Sequence, residues 1–140
     1  MIADTDGVTA NLRVGTSGGI DSGATDYTYH APNSNVGSAN SYNSSVQASE
    51  DHIKLHSEVG ANTGDVFGGT IFLQRNVNGV PTFSGNTQAT KNITTGSPEM
   101  KGGFVFGARK AVINLDRVNF YFATGNIASG RMTVYGISHT

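Results

Sequence analysis

The stretch RVNFYFATGNIASGRMTVYGI, residues 117–137, decides the fold class of this chain. Residues 118–122 carry a large apolar side chain at every second position, which is the period expected for a β-strand. The glycine-containing segment 123–130 interrupts this pattern, and a second alternation follows in which Met132 and Val134 share one face. The stretch therefore predicts two antiparallel strands, joined by a loop longer than a two-residue turn.

The composition also favours an all-β fold. The chain has 140 residues, a length that suits one domain with a substantial core. It contains 19 glycines and only 14% charged residues, and its apolar segments are short and separated by turn-forming residues. We expect one antiparallel β-sandwich over residues 1–140, jelly-roll-like, with about eight or nine strands. An up-and-down barrel is the alternative.

Alternating patterns place further strands along the chain. A hairpin across Asn76 to Pro81 is predicted from the turn pair Asn78-Gly79, whereas residues 82–95 are polar and weakly patterned. The remaining strands are predicted at 8–14, 25–30, 52–57, 68–74, 102–107 and 111–115. The apolar members of these strands predict one core made of Leu12, Ile71, Leu73, Val118, Phe120, Phe122, Met132 and Val134.

Two polar segments are predicted to extend from the sandwich. Residues 32–49 consist mainly of Asn and Ser, so we expect a long polar loop that becomes ordered on assembly. Residues 1–7 are predicted to form an N-terminal arm. Within them, Asp4 to Gly7 resembles the opening of a calcium loop but lacks the distal glutamate of such a site.

The search for reactive groups favours a protein without catalysis. His52 and His56 would share a strand face with Lys54, but no carboxylate completes a zinc-type motif, and the lysine opposes a cation. The glycine-rich segments lack the lysine of a phosphate-binding loop, and no G-x-S-x-G nucleophile elbow is present. We therefore predict no catalytic residue, no cofactor and no metal ligand.

Charge and hydropathy exclude several classes of partner. Nine basic and ten acidic residues are spread along the chain, so a basic nucleic-acid footprint is missing and no nucleic-acid partner is expected. No apolar stretch is long enough to span a membrane as a helix, and the sequence shows no signal-peptide pattern, so no membrane partner is expected. The absence of cysteine excludes a disulfide framework.

The C-terminal pattern resembles a class of bacteriophage virion proteins. The elements that carry this likeness are the aromatic strand Asn119 to Phe122, the turn Gly125-Asn126, Ser129-Gly130 and the terminal Tyr135-Gly136-Ile137. Segments around Leu12, Tyr27 and Gly68 fit the same pattern more loosely. Proteins of this class are small β-sandwiches that decorate or cement capsids, or that form the tips of tail and head fibres.

The resemblance implies a non-enzymatic capsid decoration or cement protein. It would be made in the host cytoplasm, bind the major capsid protein at the outer surface of the virion, and form a homo-oligomer, with a trimer as the favoured state. The alternative is a receptor-binding or glycan-binding domain of a phage fibre. Aromatic residues on strands with two apolar faces favour contacts with a neighbouring subunit. The candidate interface residues are Ile2, Tyr27, Tyr29, Tyr42, Phe104, Phe106, Tyr121 and Tyr135.

Overall fold

The structure is a computed structural model that describes residues 1–37, 40–74, 79–92 and 96–136. Within these ranges it contains strands and no helix, so the prediction of an antiparallel all-β fold is confirmed. A jelly-roll arrangement is not confirmed. The eleven strands are β1 (Ile2–Ala3), β2 (Val8–Thr16), β3 (Gly19–Ile20), β4 (Tyr27–Val36), β5 (Ser41–Glu50), β6 (Ile53–Val59), β7 (Phe67–Gln74), β8 (Thr82–Lys91), β9 (Glu99–Arg109), β10 (Arg117–Phe122) and β11 (Ile127–Ser129).

The strands form three antiparallel sheets. The largest has five strands in the order β5-β4-β9-β8-β7. In a second sheet of four strands, β2 pairs with β10 and also with β3 and β6. The short strands β1 and β11 form a two-stranded sheet. Because β6 lies against β4, β8 and β9, the two larger sheets pack face to face, as in a β-sandwich.

One cluster of buried apolar side chains fills the space between the sheets. From the four-stranded sheet it takes Ala10, Leu12, Val14, Ile53 and Leu55, and from the five-stranded sheet it takes Tyr27, Tyr29, Ala31, Phe83 and Val105. Three phenylalanines close one side: the Phe67 ring stacks on Phe120 at 5.6 Å between centroids and meets Phe122 edge-on. The alternation of each strand therefore directs one face into a shared core.

The C-terminal hairpin was predicted incorrectly. The strand at 118–122 exists, but its partner is β2, with Phe120 opposite Leu12. The chain then continues into β11, which pairs with β1, and residues 131–136 lie outside any strand. Met132 and Val134 are consequently 53% and 73% exposed and do not enter the core. The end of the predicted hairpin, Ile137, lies outside the described residues.

The long polar loop predicted at 32–49 is instead most of a β-hairpin. Strand β4 pairs with β9 on one side and with β5 on the other, so its backbone groups are satisfied despite its polar composition. Burial of Tyr27, Tyr29 and Ala31 on its inner face anchors the hairpin. Residues 38 and 39, between the two strands in the sequence, lie outside the described residues.

The predicted N-terminal arm also packs against the body. Ile2 and Ala3 form β1, Ala3 is 1% exposed, and the Phe67 amide donates to the Met1 carbonyl oxygen at 2.7 Å. Burial of a small apolar side chain and pairing with β11 explain why this segment is not free.

Two strand predictions and one core prediction need correction, and one hairpin prediction lies partly outside the described residues. The polar segment 82–91 is strand β8, held between β7 and β9, whereas 111–115 is not a strand. Leu73, predicted for the core, is 36% exposed and lies on β7, the edge strand of the large sheet. The predicted turn at Asn76 to Pro81 falls partly on residues 75–78, outside the described residues, although β7 and β8 do pair on either side of it.

Candidate functional site: the open face of the large sheet

The five-stranded sheet has one face in the core and one face toward solvent. We call the solvent-facing side chains of β5, β4, β9, β8 and β7 the open face. Residues that are opposite each other in an antiparallel pair lie on the same side of a sheet. The register therefore arranges these side chains in rows that run across all five strands.

One row combines three exposed apolar side chains with His30 and Ser84, and we call it the ridge. Its members are consecutive cross-strand partners: Val46 is opposite His30, His30 opposite Phe106, Phe106 opposite Ser84, and Ser84 opposite Phe72. The His30 and Phe106 rings meet edge-on, 4.9 Å between centroids. Phe106, Phe72 and Val46 are 51%, 58% and 68% exposed. Such exposure of neighbouring apolar side chains is typical of interaction surfaces.

A second row contains a depression. Here Ser34 is opposite both Tyr42 and Gly102, and Gly102 is opposite Gln88. Because Gly102 has no side chain, the row is hollow at its centre, and the resulting depression has a volume of about 540 Å³. Tyr42 and Phe104 border it, 68% and 69% exposed respectively.

The depression continues toward the edge of the sheet at β7. A smaller hollow of about 250 Å³ is lined by Gly69, Thr70, Asn86, Thr87 and Gln88. Asn86, Thr87 and Gln88 line both hollows, so the two form one shallow groove across the sheet. We call this the groove.

Carboxylate, ammonium and guanidinium groups are absent from the ridge and the groove in the described part of the chain. Among the described residues that form them, none is Asp, Glu, Lys or Arg. Hydroxyl and amide groups supply their polarity. This arrangement suits a neutral partner better than a charged one, because no formal charge is available to pair with an ion.

A charged cluster lies where the chain passes from β5 of the large sheet to β6 of the four-stranded sheet. Potential metal-ligating atoms of Glu50, Asp51 and His52 lie within 4.8 Å of one another. Both carboxylate oxygens of Asp51 have partners, one the Arg13 guanidinium and the other the His52 ring. The His52 hydrogen bond and then the Arg13 charge hold the pKa of Asp51 below its usual value. These contacts describe a structural ion-pair network, with Arg13 also over the Tyr121 ring at 4.8 Å.

The two histidines expected on one solvated face lie in different environments. His52 contacts Asp51 near the surface, whereas His56 is 1% exposed and lies in the core. The reason is a bulge: β6 advances two residues, from Lys54 to His56, while β2 advances one. The bulge turns His56 inward, and the prediction of a common solvated face is wrong.

The eight candidate interface residues divide into three groups. Tyr42, Phe104 and Phe106 lie on the open face. Tyr27 and Tyr29 are 0% and 4% exposed, and burial raises the pKa of each to about 12, so they belong to the core and not to an interface. The others lie elsewhere on the surface: Ile2 and Tyr121 are half-buried, and Tyr135 is 84% exposed.

Sequence reasoning missed several open-face residues. Phe72 lies between Ile71 and Leu73, which were predicted for the core, so strand alternation already indicated that its aromatic ring points outward. Asn86 and Gln88 were missed because β8 was not predicted. The usable signal was its alternation of Phe83, Thr87 and Ala89, which are buried, with exposed polar neighbours.

A comparison with protein-family models gives no match, and comparisons with curated proteins and with solved structures give none either. In the described part of the chain there is no helix long and apolar enough to cross a membrane.

Proposed function

We propose that this chain is a non-enzymatic structural protein of a bacteriophage virion that decorates the outer surface of the capsid as a homo-oligomer. The observation that carries the proposal is the ridge, a row in which the exposed side chains of Val46, Phe106 and Phe72 alternate with His30 and Ser84. Apolar area of this kind is stabilised when a neighbouring protein covers it. We assign the ridge to the contact with the major capsid protein.

The mechanism is linkage between binding and shell stability. A decoration protein that binds the assembled capsid, and not its separated subunits, shifts the equilibrium toward the assembled state by mass action. Phe106 and Phe72 supply most of the aromatic area, and rings at the centre of an interface commonly dominate its binding energy. Neutral surroundings leave the contact only weakly dependent on salt.

The edge strand β5 supports the homo-oligomer. It is the last strand of the large sheet, and residues 41–49 include neither a charge nor a proline, although Lys110 covers the C-terminal end of the strand by donating to the Ala48 carbonyl oxygen at 3.0 Å. Proteins that remain monomeric usually protect such an edge with lysine, proline or a covering segment. Pairing between the β5 edges of two copies would satisfy the unpaired backbone groups of both. Self-association is measured by sedimentation velocity at several concentrations, comparing Asn43→Lys on β5 with Thr124→Lys in an exposed turn.

The capsid contact is tested with empty capsids of the parent phage. The double variant Phe72→Ser, Phe106→Ser is added to undecorated capsids, and its occupancy is measured by co-sedimentation over a concentration series. We expect at least a tenfold higher concentration for half-occupancy, because two buried rings are lost. Val112→Ser is the matched control, since Val112 is 61% exposed and lies outside the large sheet.

Two outcomes would contradict the proposal, one for the ridge and one for capsid binding as a whole. If the double variant folds normally and saturates capsids at the wild-type concentration, the ridge is not the contact. If the wild-type protein itself does not bind capsids, the decoration proposal fails. The copy number per virion, measured by quantitative mass spectrometry, then distinguishes decoration, which requires hundreds of copies, from the fibre alternative.

A further inference from the structure

We propose that the groove on the open face is a binding site for a neutral oligosaccharide. The groove occupies two rows of the sheet, the row of Ser34, Gly102 and Gln88 and the row of Phe104 and Asn86, which lies between it and the ridge. Ser34 and His30 mark the first of these rows and the ridge on β4 and are four residues apart. Four residues of a strand span about 13 Å, but Phe104 is only two residues from Phe106, so a partner on the ridge would also reach this wall of the groove, and binding is tested on the isolated chain.

The shape of the groove suits a flat ring system. At its centre the backbone of Gly102 is uncovered, and an added Cβ there would meet nothing closer than the Thr87 carbonyl oxygen at 4.0 Å. The main hollow of about 540 Å³ lies within the range of small-ligand sites, and the adjoining hollow of about 250 Å³ lengthens it across the strands. A chain of two or three sugar rings fits an elongated depression better than a single compact ligand does.

The walls match the two kinds of surface that a sugar presents. Pyranose rings have apolar faces of C–H groups, and Tyr42 and Phe104 offer exposed aromatic rings on which such faces pack. Sugar edges carry hydroxyls that both donate and accept hydrogen bonds. Asn86 and Gln88 offer amide donors and acceptors along the groove, and Ser34 adds a hydroxyl.

These polar groups are available for a ligand. In the described part of the chain, the side chains of Ser34, Asn86 and Gln88 make no hydrogen bond to another protein group, so binding does not first require an internal bond to break. Each can direct its donors and acceptors toward the groove at little energetic cost.

The charge of the site selects among glycans. None of the described residues that line either hollow is Lys, Arg, Asp or Glu. A sialylated or sulfated sugar would lose hydration of its anionic group without gaining a cationic partner. The groove therefore favours neutral sugars over anionic ones.

Binding is tested on the isolated full chain by isothermal titration with maltotriose, chitotriose and lactose. The anionic comparison is 3′-sialyllactose. Two-dimensional NMR locates the site through shifts of the Asn86 and Gln88 side-chain amides. We expect at least one neutral probe to bind with a dissociation constant of about 1 mM or lower, and the sialylated probe to bind at least tenfold more weakly than lactose or not measurably.

Matched variants separate the groove from the rest of the face. Phe104→Ala removes one wall and is expected to weaken binding by about tenfold, whereas Phe72→Ala on the ridge leaves it unchanged. Gly102→Val fills the hollow and abolishes binding, whereas Gly136→Val, in the exposed segment after β11 and outside both linings, does not. The melting temperature of each variant verifies that it is folded.

Several results would overturn the proposal. The first is the absence of saturable binding of any neutral probe up to about 10 mM, which is roughly the limit of such weak sites. The second is tighter binding of the sialylated probe than of lactose. The same applies if Phe104→Ala and Gly102→Val, both folded, bind like the wild type. Since the ridge is intact in these variants, capsid occupancy provides a separate readout, and failure of one proposal leaves the other standing.

Discussion

His56 and Thr87 connect the two packed sheets inside the core, with Nδ1 of His56 3.1 Å from Oγ1 of Thr87. The Thr87 hydroxyl donates its proton to the Leu55 carbonyl oxygen at 3.0 Å, so it acts as the acceptor toward His56. The proton of the neutral ring therefore lies on Nδ1. The other ring nitrogen, Nε2, is buried without a hydrogen-bond partner among the described residues.

This environment predicts a loss of stability in mild acid. Burial, and then the charge of Lys101, lower the pKa of His56 from 6.5 to about 4. Between these two pH values the unfolded chain binds a proton that the folded chain does not bind. The contribution of His56 to the free energy of unfolding is therefore fully present above pH 6.5 and decreases as the pH falls toward 4. The total loss from this group is about 3 kcal/mol.

Urea unfolding at pH 7, 5.5 and 4 measures this dependence. In His56→Asn the side-chain amide can still donate to Thr87 but does not titrate, so the decrease should become shallower by most of the His56 contribution. His30→Gln, a substitution on the open face, controls for a general effect of losing one histidine. An unchanged pH profile in His56→Asn would show that other groups determine the acid sensitivity.

We predict a second contribution to stability from the hydrogen bonds of the Tyr27 hydroxyl. This contribution does not change with pH below the range in which tyrosine titrates. The hydroxyl accepts from the Val14 amide at 2.9 Å and lies 3.0 Å from the Asp21 carbonyl oxygen, connecting the two sheets. Tyr27→Phe leaves these buried backbone groups without that partner and should cost about 1–3 kcal/mol in urea unfolding. Tyr42→Phe is the control, because Tyr42 is 68% exposed and should change stability by less than about 0.5 kcal/mol. Equal effects of both substitutions would contradict this assignment.

The parts of the fold that the sequence predicted are those where one face of a strand is apolar. Strands β2, β6 and β10 show this alternation clearly, and each is covered by the core on one side. Strand β4 was only half predicted, because its C-terminal half is polar on both faces. Its pairing depends on neighbours that are distant in sequence, β9 above all, and no local pattern reports such a contact.

The open face could be predicted only in part for the same reason. Phe104 and Phe106 were placed together correctly from their alternation, and Tyr42 was among the candidate residues. The groove could not be predicted, since it arises where Gly102, Ser34 and Gln88 meet through the register of three strands. A short alternation cannot distinguish an inward aromatic ring from an outward one, which explains the error at Tyr27 and Tyr29.

The aromatic cluster predicts a graded set of core substitutions. Phe122 is 4% exposed and meets both Phe67 and Phe120 edge-on, so Phe122→Ala should cost about 3–5 kcal/mol. Phe120 is only half-buried, and its replacement by Ala should cost less than that of Phe122. Chemical denaturation measures both, with Tyr135→Ala as an exposed aromatic control near zero. A larger loss for Phe120 than for Phe122 would contradict this packing.

We predict that replacing either of two neighbouring glycines on β9 by Ala changes the free energy of unfolding in opposite directions. At Gly103 a Cβ would lie 2.4 Å from the Pro32 carbonyl oxygen on the adjacent strand, so Gly103→Ala must displace backbone and should cost about 1–3 kcal/mol. At Gly102 the nearest atom would be 4.0 Å away, and Gly102→Ala should be neutral or stabilise by up to about 1 kcal/mol, because it restricts the unfolded chain. Urea unfolding of the two single variants compares them directly. Equal destabilisation would mean that the floor of the groove is already filled, whereas the expected difference supports an open hollow at Gly102.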